Sequence, residues 1–574
     1  MLTCNFLSGC PLLMPRSKEK AGNFPTFRVP VGNVQANRGG KPNAANARST
    51  WLRLCFLSTL GPSLAEWGDN KTTCKMNPLK SSFHAVAAVL AVHVLIATPH
   101  PVMAGGLMDK QQMLLVDGKP RFILGLYENP KDDALLKEAV AAGFNLFQCA
   151  PKASELNRVQ QFGAKGWVNV GNDIDLSSDS SARKHRLQEQ VSLLANHPAL
   201  LVWEGPDEIL WNTWYGTIQE LEKEFQAMST AAGGAANLNA LYHRATDFYH
   251  RGLYQEFQKV RCEFWAAVGS VDPLAQVRID DAPERVVKSG KGVAGGIRAI
   301  HEVDREHVVW MNHAPRNSLS DLALYNTLAD MAGCDIYPAP ANRAVGHSDL
   351  VDMGLTSVGA YTERMRLAAP GKACAMVLQG FGWGDLKQGE VTDHERAVGI
   401  GRRPSRPETR FMAYDAILHG ANAILYWGTA YMKPMEDDGS PVTGRPRLWR
   451  DLLQVAREIR ALEPALVAAP LKQPRIRQSE TCGSIDGTGL ICTLRRVDDD
   501  FVLIVLNEKQ AGIRFTVEGL PGKLNDRVLH RLYTAEGRIV EEGRIVDGIA
   551  SQGVHVYATS KRFEDPVVKA DSSR

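Results

Sequence analysis

The amino-acid sequence predicts a (β/α)8 TIM barrel of the α/β class, with a helical insertion after strand four and a C-terminal antiparallel β-sandwich. Two patterns lead to this prediction. Eight short apolar runs recur between residues 122 and 427, most of them separated by helical patterns, which is typical of parallel βαβ units. After residue 470 the chain changes to alternating apolar and polar residues broken by turn signals, which is typical of antiparallel strands.

The eight apolar runs have the length of strands that are buried on both faces. Asp132–Ala142, between the first two runs, has helical spacing and ends at Gly143, and Glu408–His419, between the last two, ends at Gly420. An open doubly wound sheet is the competing fold, but it would carry a Gly-rich phosphate loop after the first strand, and Leu126–Pro130 is not such a loop. The predicted strands are Phe122–Tyr127, Phe144–Ala150, Trp167–Asn172, Ala199–Trp203, His307–Asn312, Cys334–Tyr337, Ala373–Leu378 and Ala423–Trp427.

The interval after the fourth strand is too long for a single barrel helix. Thr217–Met228 and Leu238–Val268 have helical patterns, so we expect a helical insertion over about residues 211–300, on the face that carries Glu208. It either shapes a binding cleft or only packs at the periphery. The barrel is expected to span 110–465, the β-sandwich 470–560 and a loose tail 561–574.

The first 104 residues are excluded from the fold. Residues 1–75 carry a net charge of +7 and little periodicity, and we expect a non-native or disordered leader there. Residues 76–104 then combine a basic start at Met76, an apolar stretch over Phe83–Ala97 and a small-residue exit at Ala104, which is the pattern of a secretory signal peptide. The sequence therefore predicts a secreted protein, periplasmic or extracellular, cleaved near Ala104.

Composition narrows the classes of partner. Residues 105–574 carry a net charge of −5 without a dense basic patch, so no nucleic-acid partner is expected. No apolar run is long enough to span a bilayer. The sequence shows no metal-ligand spacing and no organic cofactor motif, so neither a metal nor a cofactor is expected. It carries no signal for the oligomeric state.

Candidate site residues follow the predicted strands, because the carboxyl ends of barrel strands meet at one face. Acids, amides and aromatic residues dominate these positions, and few are basic, which disfavours phosphorylated substrates. Carboxylates among aromatic rings fit carbohydrate binding and glycosidic cleavage, in which one acid protonates the leaving oxygen and a second carboxylate attacks or activates water. The expected substrate-binding residues are Tyr127, Asp207, Asn312, His313, Tyr337, Gln379, Trp383 and Trp427.

Three segments resemble the TIM-barrel glycoside hydrolases of clan A. Asp117–Tyr127 is similar to the opening of many such barrels, His197–Trp203 resembles their fourth strand, and Gly420–Trp427 resembles the eighth strand with its sugar-stacking tryptophan. In that family the fourth strand leads to Asn-Glu, whose Glu is the acid/base, and this sequence has Asp207 and Glu208 there. The resemblance covers about residues 110–560 and implies Glu208 as the general acid.

The sequence departs from the family at the seventh strand. The resemblance implies a nucleophilic Glu there, but the chain has Gln379, and an amide cannot form a glycosyl ester. We expect Asp335 to supply the second catalytic carboxylate, with Glu204, Asp173 and Glu128 as the next candidates. Inversion with a more distant base and binding of a sugar without cleavage are the alternatives. If Glu204 is buried beside Glu208, repulsion between the two charges would raise the pKa of one of them, as suits a general acid.

Overall fold

The computed structural model describes residues 107–251, 253–272, 281–315, 317–340, 354–386, 401–432, 446–472, 474–479 and 489–572. The expected leader over 1–75 and the expected signal peptide over 76–104 lie outside these residues. Among the helices in the described part of the chain, none has the length and apolar character needed to cross a membrane.

Eight parallel strands close into a barrel, and the predicted fold class is confirmed. Each strand pairs with its sequence neighbours, and the eighth pairs with the first. A hairpin of β1 (Leu114–Val116) and β2 (Lys119–Arg121) precedes the barrel. The barrel strands are β3 (Ile123–Leu126), β4 (Leu146–Cys149), β5 (Lys165–Asn169), β6 (Leu200–Glu204), β7 (Val308–His313), β8 (Met331–Ile336), β9 (Ala373–Gln379) and β10 (Ala423–Trp427).

Helices separate most of the barrel strands, and several begin at side-chain caps. Asp132 accepts a hydrogen bond from Ala134 N at the start of the first helix, and Ser405 and Glu408 form a capping box. The helices outside the insertion are α1 (Asp133–Ala142), α2 (Ala153–Gln161), α3 (Ser180–Leu194), α8 (Leu319–Tyr325), α9 (Ser357–Ala368), α10 (Trp383–Leu386), α11 (Arg406–Leu418), α12 (Arg447–Leu466) and α13 (Pro566–Ser572).

The insertion is a helical layer with its own apolar core. Its helices are α4 (Ile209–Ala232), α5 (Ala236–His250) and α6 (Tyr254–Val268), whereas the following helix, α7 (Ala282–Val303), packs most of its buried side chains in the barrel core. The predicted single helix over Leu238–Val268 is wrong, because the segment forms two helices, α5 and α6. Two shorter helices can fold back on each other, so that Tyr249 of α5 and Phe257 of α6 meet with ring centroids 5.7 Å apart. A straight helix could not bring both apolar stripes to one core.

The C-terminal region forms two antiparallel sheets, as predicted. One contains β11 (Arg475–Gln478), β14 (Ile513–Glu518) and β17 (Arg544–Ile549), and the other runs in the order β12-β13-β18-β15-β16. Apolar side chains from both sheets share one core. The strands of the second sheet are β12 (Leu490–Val497), β13 (Asp500–Asn507), β15 (Val528–Arg531), β16 (Gly537–Ile539) and β18 (Val554–Ala558).

The tail over 561–574 is not loose as far as it is described. A short 3-10 helix over Lys561–Phe563 is followed by α13, and the side chains of Phe563 and Val568 are buried. The sequence did not indicate this packing, because Phe563, Val567 and Val568 are too few to form a periodic pattern in a charged segment.

The barrel interior is filled by side chains, and its upper part is aromatic. Tyr127, Trp167 and Trp310 meet edge to face, with ring centroids 5.3 to 5.9 Å apart. In β8, Gly333 leaves room for the neighbouring strand, because a Cβ atom at this position would lie 1.5 Å from the carbonyl oxygen of Ala375. The polar end of the barrel therefore rests on a tightly packed base.

We expect Gly333→Ala to destabilise the protein by at least ~1–3 kcal/mol, because the added methyl group must displace the backbone of the adjacent strand. Urea denaturation measures the loss. Gly295→Ala is the control, because a Cβ atom there would make only an ordinary contact, 3.5 Å from Leu176, and alanine favours the helix. Equal stability of the two variants would contradict this description of the barrel interior.

Candidate active site

Polar side chains lie close together at the carboxyl end of the barrel. Every second residue of a strand points inward, and the carboxyl ends of all eight parallel strands meet at this face. The last inward position of most strands holds a polar or aromatic residue at a similar height. These residues are Tyr127, Asn169, Glu204, Asn312, Asp335, Gln379 and Trp427. Asp207 and Glu208 lie just beyond Glu204, between the end of β6 and the start of α4.

Glu204 forms the floor of the site. Its side chain is fully buried and accepts hydrogen bonds from the hydroxyl of Tyr127, from Trp167 Nε1 at 3.1 Å and from Asn169 Nδ2 at 3.1 Å. Burial, and secondly the charge of Asp207, raise the pKa of Glu204 well above its usual range. This carboxyl group is held by three donors and positioned by the barrel itself.

Asp207 is connected to Glu204 through the hydroxyl of Tyr127, which contacts both carboxyl groups. Asn312 Nδ2 donates to Asp207 Oδ1 at 2.8 Å, and the Tyr127 hydroxyl lies 3.3 Å from the same oxygen. The residue as a whole is exposed, yet its carboxyl end is surrounded by protein, and this desolvation raises the pKa of Asp207. Asp207 therefore has a face toward solvent and a set of neutral hydrogen-bonding neighbours.

Glu208 and Asp335 form a hydrogen-bonded carboxyl pair. Burial raises the pKa of Asp335 to about 7, as does the charge of Asp207, while hydrogen bonds from Glu208 and Tyr337 act in the opposite direction. Two carboxyl groups form such a bond only when one of them carries a proton. The two carboxyl groups therefore share one proton, and the contact with Glu208 acts to lower the pKa of Asp335.

The backbone at Glu208 is in an uncommon conformation. Its φ of 51° lies in the left-handed region, which costs a non-glycine residue roughly 1–2 kcal/mol. The Glu208 amide donates to the carbonyl oxygen of Asn312 at 3.3 Å, and α4 begins at the next residue. The chain thus turns sharply at Glu208, and the helix that follows belongs to the insertion.

Aromatic rings form one wall of the site. Tyr337 and Trp427 stack with centroids 5.5 Å apart and an interplanar angle of 23°, and Phe381 meets both rings edge on. Trp383 packs against Phe381 at 5.3 Å, and the partly exposed Tyr431 lies 5.5 Å from Trp427. Trp427 is only partly buried, so its ring offers an apolar surface at the mouth of the barrel.

Two residues that we expected to bind substrate, Gln379 and His313, are buried and make hydrogen bonds to the protein itself. Gln379 is fully buried, its Nε2 donates to the carbonyl oxygens of Ala339 at 2.7 Å and Phe381 at 3.1 Å, and its Oε1 accepts from Ala339 N at 2.9 Å. His313 is also fully buried, and Nε2 lies 3.1 Å from Asn326 Oδ1. Burial lowers the pKa of His313 to about 4, so the imidazole is neutral at physiological pH.

Two alternative carboxylates have different surroundings. Asp173 is only partly exposed and pairs with Arg186 at 2.8 Å, and this pairing holds the pKa of Asp173 below its usual value. Glu128 follows the first barrel strand, and burial raises its pKa to about 7, against a backbone hydrogen bond from Ala430. Glu128 thus lies beside the loop that follows Trp427, whereas Asp173 forms an ion pair outside the carboxyl cluster.

Trp167 and Asn169 were missed by the sequence prediction. The third strand was expected to end at Asn172, but it ends at Asn169, and Gly171–Ile174 form a 3-10 helix. The available signal was the spacing of two, which places Trp167 and Asn169 on the same inward face. Because the strand was predicted to end three residues too late, the candidate chosen after it was Asp173, which lies beyond the strand.

Comparison with known proteins places similar structures among glycoside hydrolases. No protein-family model and no curated protein sequence matches the chain. A β-galactosidase from Bacillus circulans sp. alkalophilus matches with a TM-score of 0.43 and 9% identity, over 78% of this chain and 100% of that one. Gan42B, a GH42 β-galactosidase from G. stearothermophilus, matches with a TM-score of 0.43 and 10% identity, over 76% of this chain and 98% of that one.

An α-amylase from Geobacillus thermoleovorans also matches, with a TM-score of 0.41 and 9% identity, over 76% of this chain and 98% of that one. These proteins are similar to this chain at a level that carries no argument about its activity. The barrel itself is established by the strand pairing, and the chemistry follows from the side chains of the site.

We expect Asp335→Asn to raise the melting temperature at pH 8 by about 2–5 °C and to give no gain at pH 4. The Asp335 pKa is about 7 in the folded protein, against 3.8 for an ordinary aspartate. Folding therefore takes up a proton between these values, and stability falls as the pH rises through this window. Removing the carboxyl group removes that loss.

Thermal unfolding at the two pH values measures the effect. Asp173→Asn is the matched control, because the Asp173 pKa is lowered and the sign of its pH dependence is opposite. A gain from Asp335→Asn that is equal at pH 4 and pH 8 would contradict the raised pKa of Asp335.

Proposed function

We propose that this protein is a glycoside hydrolase that cleaves O-glycosidic bonds of an oligo- or polysaccharide, with Glu208 as the general acid and Asp335 as the second carboxylate. The observation that carries the proposal is the hydrogen-bonded Glu208–Asp335 pair beside the stacked rings of Tyr337 and Trp427. A proton held at neutral pH, a neighbouring carboxylate and an aromatic platform are what glycosidic cleavage requires.

The sugar ring would bind against the exposed face of Trp427, since the apolar face of a pyranose stacks on an indole. Its hydroxyl groups would reach Asp207, which Asn312 and Tyr127 already orient. The glycosidic oxygen then replaces Asp335 as the acceptor of the Glu208 proton. This exchange breaks the hydrogen bond between Glu208 and Asp335 and leaves Asp335 as an anion facing the sugar.

The distance between the two carboxyl groups bears on the stereochemistry. Retaining enzymes hold their carboxyl groups about 5–5.5 Å apart, and inverting enzymes about 6.5–9.5 Å apart. The direct contact of Glu208 with Asp335 is shorter than either, so the pair must separate when the substrate enters. The retaining mechanism requires the smaller separation of the two carboxyl groups. We therefore propose that the enzyme retains the configuration of the sugar, with Asp335 as the nucleophile.

A carbohydrate-binding barrel without turnover is the second candidate. Gln379 favours it, because the amide stands where the resemblance implies a nucleophilic Glu, and its three hydrogen bonds hold main-chain groups. We further propose that the protein is exported and cleaved near Ala104, on the strength of the signal-like sequence over 76–104.

We expect Glu208→Gln to lower kcat by about 10²–10⁴-fold with little change in glycan affinity, because the amide keeps the shape but cannot donate the proton. Turnover of a panel of glycans and binding by calorimetry measure the two effects. Glu302→Gln is the control, since Glu302 pairs with Lys184 on the surface. Full activity of Glu208→Gln would rule out the assignment, and equal binding with no turnover by the natural protein would establish the binding barrel.

The acid limb of the pH–kcat/KM profile is expected near pH 7, because Asp335 must be an anion and its pKa is about 7. Asp207→Asn removes a charge that raises this pKa, so the limb moves to lower pH. Tyr337→Phe removes a hydrogen bond that lowers it, so the limb moves to higher pH. Shifts in the same direction would show that another group controls the limb.

A further inference from the structure

A second cluster of polar side chains lies between the barrel and the β-domain. Asp415 and His419 are one turn apart at the end of α11, and Glu508 follows β13. His419 Nε2 lies 3.6 Å from Asp415 Oδ1 and 3.0 Å from Glu508 Oε1. One ligand atom from each of the three residues lies within 4.8 Å of the other two.

These separations suit a small metal ion. Zn²⁺ binds nitrogen and oxygen ligands at about 2.0–2.2 Å, so two ligands of a tetrahedral site lie about 3.3 Å apart. The two measured separations, 3.0 and 3.6 Å, lie on either side of this value. An imidazole with two carboxylates also suits a first-row transition metal better than Ca²⁺ or Mg²⁺, which prefer oxygen ligands alone.

Asp415 provides the independent observation. Its side chain is fully buried, and Oδ2 accepts a hydrogen bond from Gly359 N at 2.7 Å. The other oxygen, Oδ1, is buried, accepts no hydrogen bond and is directed toward His419 Nε2. A buried carboxylate oxygen without a donor is costly, and a bound cation would satisfy it.

The surroundings of His419 also fit a metal ligand. Its Nδ1 lies 2.8 Å from Glu363 Oε1, an arrangement that directs the Nε2 lone pair toward the two ligand oxygens. Gly359 leaves the space, because a Cβ atom there would lie 2.3 Å from His419 Cδ2 and 2.9 Å from Asp415 Oδ1. The end of α11 adds the negative end of a helix dipole.

We propose that Asp415, His419 and Glu508 bind one Zn²⁺ ion, with Glu363 orienting the histidine and solvent completing the coordination. The ion would join the last barrel helices to the loop after β13 and so fix the β-domain against the barrel. Its role is structural, because the ligands belong to helix ends and a β-domain loop and not to the carboxyl cluster at Glu208. No local sequence pattern indicates this site, since Glu508 lies far along the chain from His419.

The test uses the full chain, stripped of metal by a chelator and titrated with Zn²⁺ alone by calorimetry. We expect one ion per chain and a rise in melting temperature with Zn²⁺. His419→Gln and Glu508→Gln should each abolish both effects, and Glu363→Gln should weaken binding by about 10–100-fold. Glu518→Gln is the matched control, because Glu518 pairs with Arg477 elsewhere in the β-domain and should leave binding unchanged.

The variants keep their folded state measurable, because His419 and Glu508 are only partly buried. Circular dichroism of the metal-free proteins separates loss of binding from loss of folding. If the natural chain does not bind Zn²⁺, the proposal is overturned. It is also overturned if binding survives both His419→Gln and Glu508→Gln, and the cluster is then a network of ion pairs.

Discussion

The candidate site depends on one electrostatic constraint. Several carboxyl groups lie close together in a space with little solvent, so they cannot all be ionised at the same time. Glu204 is fully buried, Asp335 is nearly so, and Asp207 raises the pKa of both. Desolvation and repulsion between like charges therefore keep protons in the site at neutral pH. A retained proton on one carboxyl beside an ionised partner is the state that acid–base chemistry needs.

The barrel creates this constraint by its geometry. Parallel strands end at one face, and their inward positions alternate, so that the last such residues of different strands converge. Around the floor of the site, the rings of Tyr127, Trp167 and Trp310 pack together and fill the interior of the barrel. Tyr127 and Trp167 also donate two of the three hydrogen bonds that hold Glu204, so the same side chains pack the interior and fix the position of a carboxyl group.

The sequence predicted the fold well because apolar runs and their spacing are local signals. Each of the eight barrel strands overlaps a predicted apolar run, and the C-terminal change of period marks the antiparallel sheets. Errors arose at element ends, where the pattern is weakest. The third strand ends at Asn169 and not at Asn172, which hid the contact of Asn169 with Glu204.

The site could be predicted only in part, because its key contacts join distant segments. The bond between Glu208 and Asp335 spans β6 and β8, and the hydrogen bonds of Gln379 depend on the path of the chain at Ala339. No local pattern reports such contacts. The choice of Asp335 as the second carboxylate came from its place at a strand end, and it remains a prediction that the enzymatic tests decide.

The hydrogen bonds of Gln379 have a consequence for the history of the site. A glutamate at this position would direct a carboxylate toward the carbonyl oxygens of Ala339 and Phe381, which are acceptors and offer it no proton. The carboxyl group would have to stay protonated to donate to even one of them, and a neutral acid is a poor nucleophile. Descent from a barrel with a glutamate nucleophile would thus be hard to reverse by one substitution, because the main chain has settled around the amide.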